Sequence, residues 1–147
     1  WMCAADSSGT VWAATSGGIV SFKETELTNW TDKAGSDNLD ARSVTVVGGK
    51  VFFGTASGKL ITFDGSSWKM SSVSSHPVTC IISEPSGTLW LATDGGGIVR
   101  FDGKNAQTFN GQDGLPSDYV RALALKDGKL IAACHGGLAE IALNAGK

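Results

Sequence analysis

One pattern, a glycine followed by a short apolar run, occurs four times along this chain. It reads Gly9-Thr10-Val11-Trp12-Ala13-Ala14-Thr15, Gly49-Lys50-Val51-Phe52-Phe53-Gly54-Thr55, Gly87-Thr88-Leu89-Trp90-Leu91-Ala92-Thr93 and Gly128-Lys129-Leu130-Ile131-Ala132-Ala133-Cys134. The leading glycines, at 9, 49, 87 and 128, are 40, 38 and 41 residues apart. A steady period near 40 with strand-like content points to a repeat array, above all a propeller.

Each unit reads as up to four short strands. The first is an apolar run: 1–5, 43–47, 78–82 and 120–125. A tight turn follows, built on Asp6-Ser7-Ser8-Gly9, Gly48-Gly49, Glu84-Pro85-Ser86-Gly87 and Lys126-Asp127-Gly128. Glycine accepts the positive φ that such hairpin turns demand. The second strand is the pattern quoted above. The third alternates, as in Ile19-Val20-Ser21-Phe22, Leu60-Ile61-Thr62-Phe63, Ile98-Val99-Arg100-Phe101 and Leu138-Ala139-Glu140-Ile141. Phe63-Asp64-Gly65 and Phe101-Asp102-Gly103 end it in the same way. A fourth, more polar strand carries Trp30, Trp68 or Phe109. The small apolar first strand suits burial on both faces near a central axis, and the polar fourth suits an outer edge, where it resists edge-to-edge pairing. No segment sustains a 3.6-residue period, so almost no helix is expected.

The expected fold is therefore an all-β propeller of four-stranded antiparallel sheets, with units at about 1–42, 43–77, 78–118 and 119–147. The last unit stops after its third strand, because the tail Ala142-Leu143-Asn144-Ala145-Gly146-Lys147 carries no aromatic. Three arrangements stay open. Four blades close with one edge short, two chains share a ring as a homo-oligomer, or the chain belongs to a larger propeller.

Bulk properties exclude several functions. Of 147 residues, 41% are hydrophobic and 18% charged, the balance of a globular chain. A net charge of −2 gives no electrostatic footprint for nucleic acid. No apolar run approaches the ~20 residues of a membrane helix, so this segment is not expected to insert. No signal peptide is visible, and the chain opens on Trp1 inside a predicted strand. Cys3, Cys80 and Cys134 are odd in number, lack metal spacing and sit in apolar runs. They read as free, buried, small hydrophobes. Neither a metal nor a cofactor is expected.

The stretch Gly87-Thr88-Leu89-Trp90-Leu91-Ala92-Thr93-Asp94-Gly95-Gly96-Gly97-Ile98-Val99-Arg100-Phe101 resembles the two-component regulator propeller repeat. Asp113-Gly114-Leu115-Pro116-Ser117-Asp118-Tyr119-Val120 resembles that family's link between blades. Unit one fits too, with Asn38-Leu39-Asp40-Ala41-Arg42-Ser43-Val44 as a degraded link. Units two and four depart, with Phe52 and Ile131 in place of tryptophan and Cys134-His135 where threonine and its neighbour fall. The resemblance implies a periplasmic or extracellular sensor propeller, a ligand-binding module of a signalling protein. The family brings no fixed ligand residues. Related propellers include lyases that open cyclic antibiotics, which keeps an enzyme as the alternative, beside a protein-docking scaffold.

The loops between strands two and three share a propeller face with the links. Polar residues there that break the repeat are not required by it and are free to bind. Asp94, His135, Arg42, Tyr119, His76 and Asp118 meet that test and are the candidate ligand residues. They suit a small polar or saccharide-like ligand, or a protein partner. Plainer roles compete: Asp94 ahead of three glycines as a turn former, Tyr119 as packing, the histidines as ordinary surface polarity. Trp12, Trp30, Trp68 and Trp90 recur at repeat positions and read as core. No triad or paired-carboxylate spacing marks a catalytic residue.

Overall fold

The computed structural model describes residues 1–35 and 39–143; Asn38 of the first link and residues 144–147 of the tail lie outside them. The described chain is four antiparallel sheets in sequence order, each a simple meander. The first holds β1 (Met2–Ala5), β2 (Val11–Thr15), β3 (Gly18–Lys23) and β4 (Glu26–Asn29). The second holds β5 (Ala41–Val47), β6 (Lys50–Thr55), β7 (Lys59–Phe63) and β8 (Trp68–Ser72). The third holds β9 (Val78–Ser83), β10 (Leu89–Thr93), β11 (Ile98–Phe101) and β12 (Ala106–Phe109). The fourth has three described strands, β13 (Val120–Lys126), β14 (Lys129–Cys134) and β15 (Gly137–Ala142). The one helical element among the described residues is a 3₁₀ turn at Gly111–Asp113.

Turn chemistry sets the meanders. Gly48 and Gly49 have φ of 56° and 76°, and Asp127 and Gly128 have 50° and 72°. Two successive positive φ values match the right-handed twist of the flanking strands. At the Phe-Asp-Gly turns, Asp64 accepts from the Ser66 and Ser67 amides at 2.9 and 2.7 Å, and Asp102 from those of Lys104 and Asn105. Those N–H groups hold both carboxyls below the usual carboxylate range.

Period-2 alternation then gives every sheet two apolar faces, one toward each neighbour. Three cores result, one between each successive pair of sheets. Trp12, Ala14 and Ile19 of the first meet Val51, Phe53 and Ile61 of the second. Leu60 and Val73 of the second meet Leu89, Leu91 and Val99 of the third. Trp90, Ala92 and Ile98 of the third meet Leu123, Leu130 and Ala132 of the fourth. Trp12 and Trp90 are buried in the core and Trp30 and Trp68 pack against it half-buried, whereas Trp1 is exposed. Trp12, Trp30, Phe53, Phe63 and Trp68 form one cluster between the first two sheets, with Phe63 and Trp68 stacked at 4.5 Å.

The inner strands pack in chain order, β1 on β5, β5 on β9 and β9 on β13, without comparable packing of β13 on β1. The four blades form an open arc, and this corrects two expectations. β1 is not buried on both faces; Cys3 is exposed, because its side of the sheet meets no other sheet. Of the three cysteines only Cys80 is fully buried, and Cys134 is half-buried. Burial pushes both of the latter thiols up.

Candidate functional site

The repeated threonine at the end of the second strand closes the turn into the third. Thr15 and Thr93 donate their hydroxyls to the Gly18 and Gly97 carbonyls at 2.9 and 2.7 Å. The next residue, Ala56, Asp94 or His135, donates its amide to a link carbonyl, that of Asp40, Pro77 or Tyr119, at 2.8, 2.9 and 2.8 Å. One backbone bond therefore fixes where the side chains of Asp94 and His135 begin.

Inner strands β5, β9 and β13 each carry one register irregularity at the same place. It falls between Ala41 and Ser43, opposite Thr93 near Val78, and between Val120 and Ala122. Arg42, Thr79 and Arg121 are the extra residues. A bulge re-aims a side chain, and here it does so at the mouth of the arc. Arg42 clamps Asp40 through Nε and Nη2 at 2.8 and 2.7 Å. Asp40, with help from Asp94, raises the Arg42 pKa further. Arg121 Nη2 lies 3.3 Å from Asp94 Oδ1 without hydrogen-bond alignment. That oxygen is buried and accepts no hydrogen bond from any described residue. Four charges of alternating sign, Asp40, Arg42, Asp94 and Arg121, thus come from three blades and their links.

The other expected residues gather around the Asp94–Gly97 turn. Asp94 forms an isolated bridge with Tyr119. Asp118 is engaged by the fold: its carbonyl accepts from Gly95 and Gly97, and its Oδ1 accepts from Gly111 N at 2.6 Å. His76 lies against Gly95 and Gly96, and its Nδ1 is 3.1 Å from Ser75 Oγ. A Cβ at Gly96 would stand 2.6 Å from His76 Nδ1, so glycine is what admits the ring. Tyr119 is half exposed. His135 is exposed, tied to the cluster through its backbone.

Arg121 has the same standing as Arg42, although the sequence reading did not choose it; aligning the two first strands of the repeat would have found it. Of the charged cluster, Asp40 lines a cavity of about 230 Å³ beside Leu39, Ala56 and Lys59. A polar pocket of about 330 Å³ lies between His76, Gly95, Asn110 and Asp118. A larger one, about 810 Å³, lies on the opposite face, between Val47, Ile82, Leu125 and the Lys126–Lys129 turn. Among the described residues no group of three or more His, Cys, Asp or Glu side chains could hold a metal, and no helix is long and apolar enough to cross a membrane.

No protein-family model matches this chain, and no curated protein sequence matches it. Solved structures share its fold. The extracellular domain of the putative one component system BT4673 from B. thetaiotaomicron superposes with a TM-score of 0.78 at 13% identity, over 96% of this chain and 21% of that one. Virginiamycin B lyase from Staphylococcus aureus, solved with quinupristin, gives 0.72 at 14%, over 97% and 55%. The computationally designed Ika4 protein gives 0.69 at 18%, over 95% and 89%. The fold is thus of β-propeller type, shared with that extracellular domain. The chain spans about a fifth of the first of these proteins and about half of the lyase. An extracellular domain of a one component system and a lyase on one scaffold leave function to the site.

Proposed function

We propose that this chain is a non-catalytic, ligand-binding sensory propeller module of the two-component regulator propeller kind, working outside the cytoplasm as the sensing part of a signalling protein. The observation that carries the reading is the pair of bulge-borne arginines, Arg42 and Arg121, arranged about Asp94 at the mouth of the arc. Arginine keeps its charge at any working pH, so it binds and orients rather than shuttling protons. The guanidinium of Arg121, with Arg42 held beside it by Asp40, an unbonded carboxylate oxygen and the half-exposed ring of Tyr119 suit a small polar ligand with hydroxyl and carboxylate groups, such as an acidic saccharide. The fold shared with BT4673's extracellular domain supports an extracytoplasmic sensor.

A thermal-shift screen with neutral and acidic saccharides, followed by calorimetry, tests this. Arg121→Gln and Asp94→Ala should weaken a hit at least tenfold with unchanged unfolding. Undiminished affinity in both variants removes the site from this face. Saturation by saccharides without any preference for an acidic group refutes the role of the arginines. Turnover of a bound saccharide or cyclic peptide would instead favour the lyase-like reading, for which His76 and His135 are the available bases.

A further inference from the structure

We propose that the polar pocket beside the third blade is a second subsite, suited to one neutral, hydroxyl-rich ring, so that the ligand of this face is an acidic saccharide extended by a neutral sugar unit. The proposal rests on the reading of Arg121 and Asp94 given above and adds the unit next to them. All the walls of the pocket lie between Ser74 and Asp118. They come from the link that precedes β9, the β10–β11 turn, the end of β12 and the link that precedes β13. Its shape is therefore set by segments internal to the chain, with a described blade on either side.

The β10–β11 turn makes room for it. The last ladder pair is Ala92 with Ile98, and Thr93 Oγ1 closes the turn on the Gly97 carbonyl at 2.7 Å. Within that turn Gly95 and Gly96 carry no side chain, and His76 takes the space. A Cβ on Gly96 would stand 2.6 Å from His76 Nδ1, and one on Gly95 would stand 3.4 Å from His76 Cδ2 and 3.5 Å from Tyr119 Cε1. Gly95 thus stands against a wall of the pocket and against the aromatic ring of the charged site. Asp94 is its neighbour in the chain, so one residue separates the two subsites.

Each wall is held by bonds of its own and keeps one polar atom free. The His76 amide donates to Ser74 Oγ at 3.0 Å and the ring Nδ1 lies 3.1 Å from Ser75 Oγ, which leaves Nε2. Asn110 caps the 3₁₀ turn: its Oδ1 accepts from the Gln112 amide at 2.8 Å and its amide donates to Asp113 Oδ2 at 3.0 Å, which leaves Nδ2. Asp118 Oδ1 accepts from the Gly111 amide at 2.6 Å, and the Asp118 carbonyl accepts from Gly95 and Gly97, which leaves Oδ2. No described residue bonds any of these three remaining atoms. All three side chains are half-buried and held in place, so a ligand finds them already ordered. A carboxylate acceptor, an amide donor and an imidazole nitrogen around one small space match neighbouring hydroxyls, since each hydroxyl both donates and accepts. An anion would meet the Asp118 carboxylate, and an apolar group would leave all three polar atoms unpaired. A volume of about 330 Å³ is at the small end of ligand pockets, ~300–1,000 Å³, and holds one ring rather than a chain.

Calorimetric titration with glucuronic acid, glucose, galactose and the disaccharides that join the acid to either sugar, in either order, reads both subsites. Expected is a disaccharide that binds more than about tenfold tighter than glucuronic acid, the effect of two hydrogen bonds of which one is to a charge. Asn110→Asp keeps the capping oxygen and turns the free donor into an acceptor, and Asp118→Asn keeps an acceptor for Gly111 and removes the charge. Each should cut the disaccharide's advantage to less than about threefold, with the unfolding midpoint and the affinity for glucuronic acid unchanged. The two variants sit on separate segments of the link, so one that misfolds leaves the other to decide. Disaccharides that bind no tighter than glucuronic acid overturn the proposal, and so does an advantage that survives both variants. Disaccharide binding that is lost in Arg121→Gln yet indifferent to both pocket variants overturns the pocket and leaves the charged site standing. Binding of glucose or galactose that needs Asn110 but not Arg121 keeps the pocket and overturns the charged site. Binding of none of these sugars overturns both.

Discussion

Removing the Trp90 indole is the sharpest test of how the third and fourth blades are held together. Trp90 is 2% exposed, packs against Phe109 at 5.6 Å and sits in the core shared with Leu123, Leu130 and Ala132. Its Nε1 donates to Glu84 Oε1 at 2.6 Å, a charge-assisted bond six residues back along the hairpin. Trp90→Ala loses transfer free energy and leaves a cavity, together about 3–5 kcal/mol. At roughly 3 °C per kcal/mol for a chain of this size, the unfolding midpoint should fall by about 10–15 °C. The hydrogen bond is separable from the packing by a double-mutant cycle. Glu84→Ala strands a buried N–H and should cost about 1–3 kcal/mol. In the Trp90→Phe background the same change should cost almost nothing, which gives a coupling of about 1–3 kcal/mol. Urea unfolding followed by tryptophan fluorescence and by circular dichroism supplies all four corners. A loss below about 1 kcal/mol for Trp90→Ala would mean that the indole is not buried. Additive single costs would mean that Glu84 is a bystander.

Three more outcomes follow from the geometry. Gly97 has φ of 77°, and a Cβ there would stand 2.1 Å from the Phe109 carbonyl oxygen, so Gly97→Ala should cost more than about 2 kcal/mol in thermal unfolding; a neutral result would place that turn elsewhere. The Trp12 indole N–H holds the Asp6 carboxyl down at about 2. A lowered folded pKa stabilises above the unfolded value and is lost as pH falls through the folded one. The midpoint should therefore drop between about pH 4 and pH 2, and Asp6→Asn should flatten that part of the profile. Arg42 and Asp40 form a bidentate pair at the surface, so Asp40→Ala should cost less than about 1 kcal/mol, and a large loss by calorimetry would show that the pair is structural rather than a part of the binding face.

Most of the strand plan is legible in the residues because it is local. The turns Gly48-Gly49 and Asp127-Gly128 need positive φ, alternating apolar residues need two buried faces, and polar strands tolerate an edge. Even the indole bonds can be read there. An acid stands six residues before Trp12 and Trp90, as Asp6 and Glu84, and the two units with Phe52 and Ile131 in the tryptophan's position have Val46 and Leu125 in the acid's. The candidate site was legible only in part. Asp94, His76, Tyr119 and Asp118 do meet at one turn, since loops and links of a propeller must share a face. Arg121 was not singled out, because its likeness to Arg42 shows only when the first strands of two units are aligned, and the bulge that aims both is a property of pairing between strands.

What the sequence determined by itself is the blade: its strands, its turns and the apolar character of both its faces. Which faces find a partner was decided only in three dimensions. Leu138 and Ile98 occupy the same repeat position with similar chemistry, yet one is 71% exposed and the other fully buried. Alternation specifies that a face is apolar at a cost set by a few neighbours along the chain. Burial depends instead on which sheet stacks against a face, and here β1 packs on β5, β5 on β9 and β9 on β13, without comparable packing of β13 on β1.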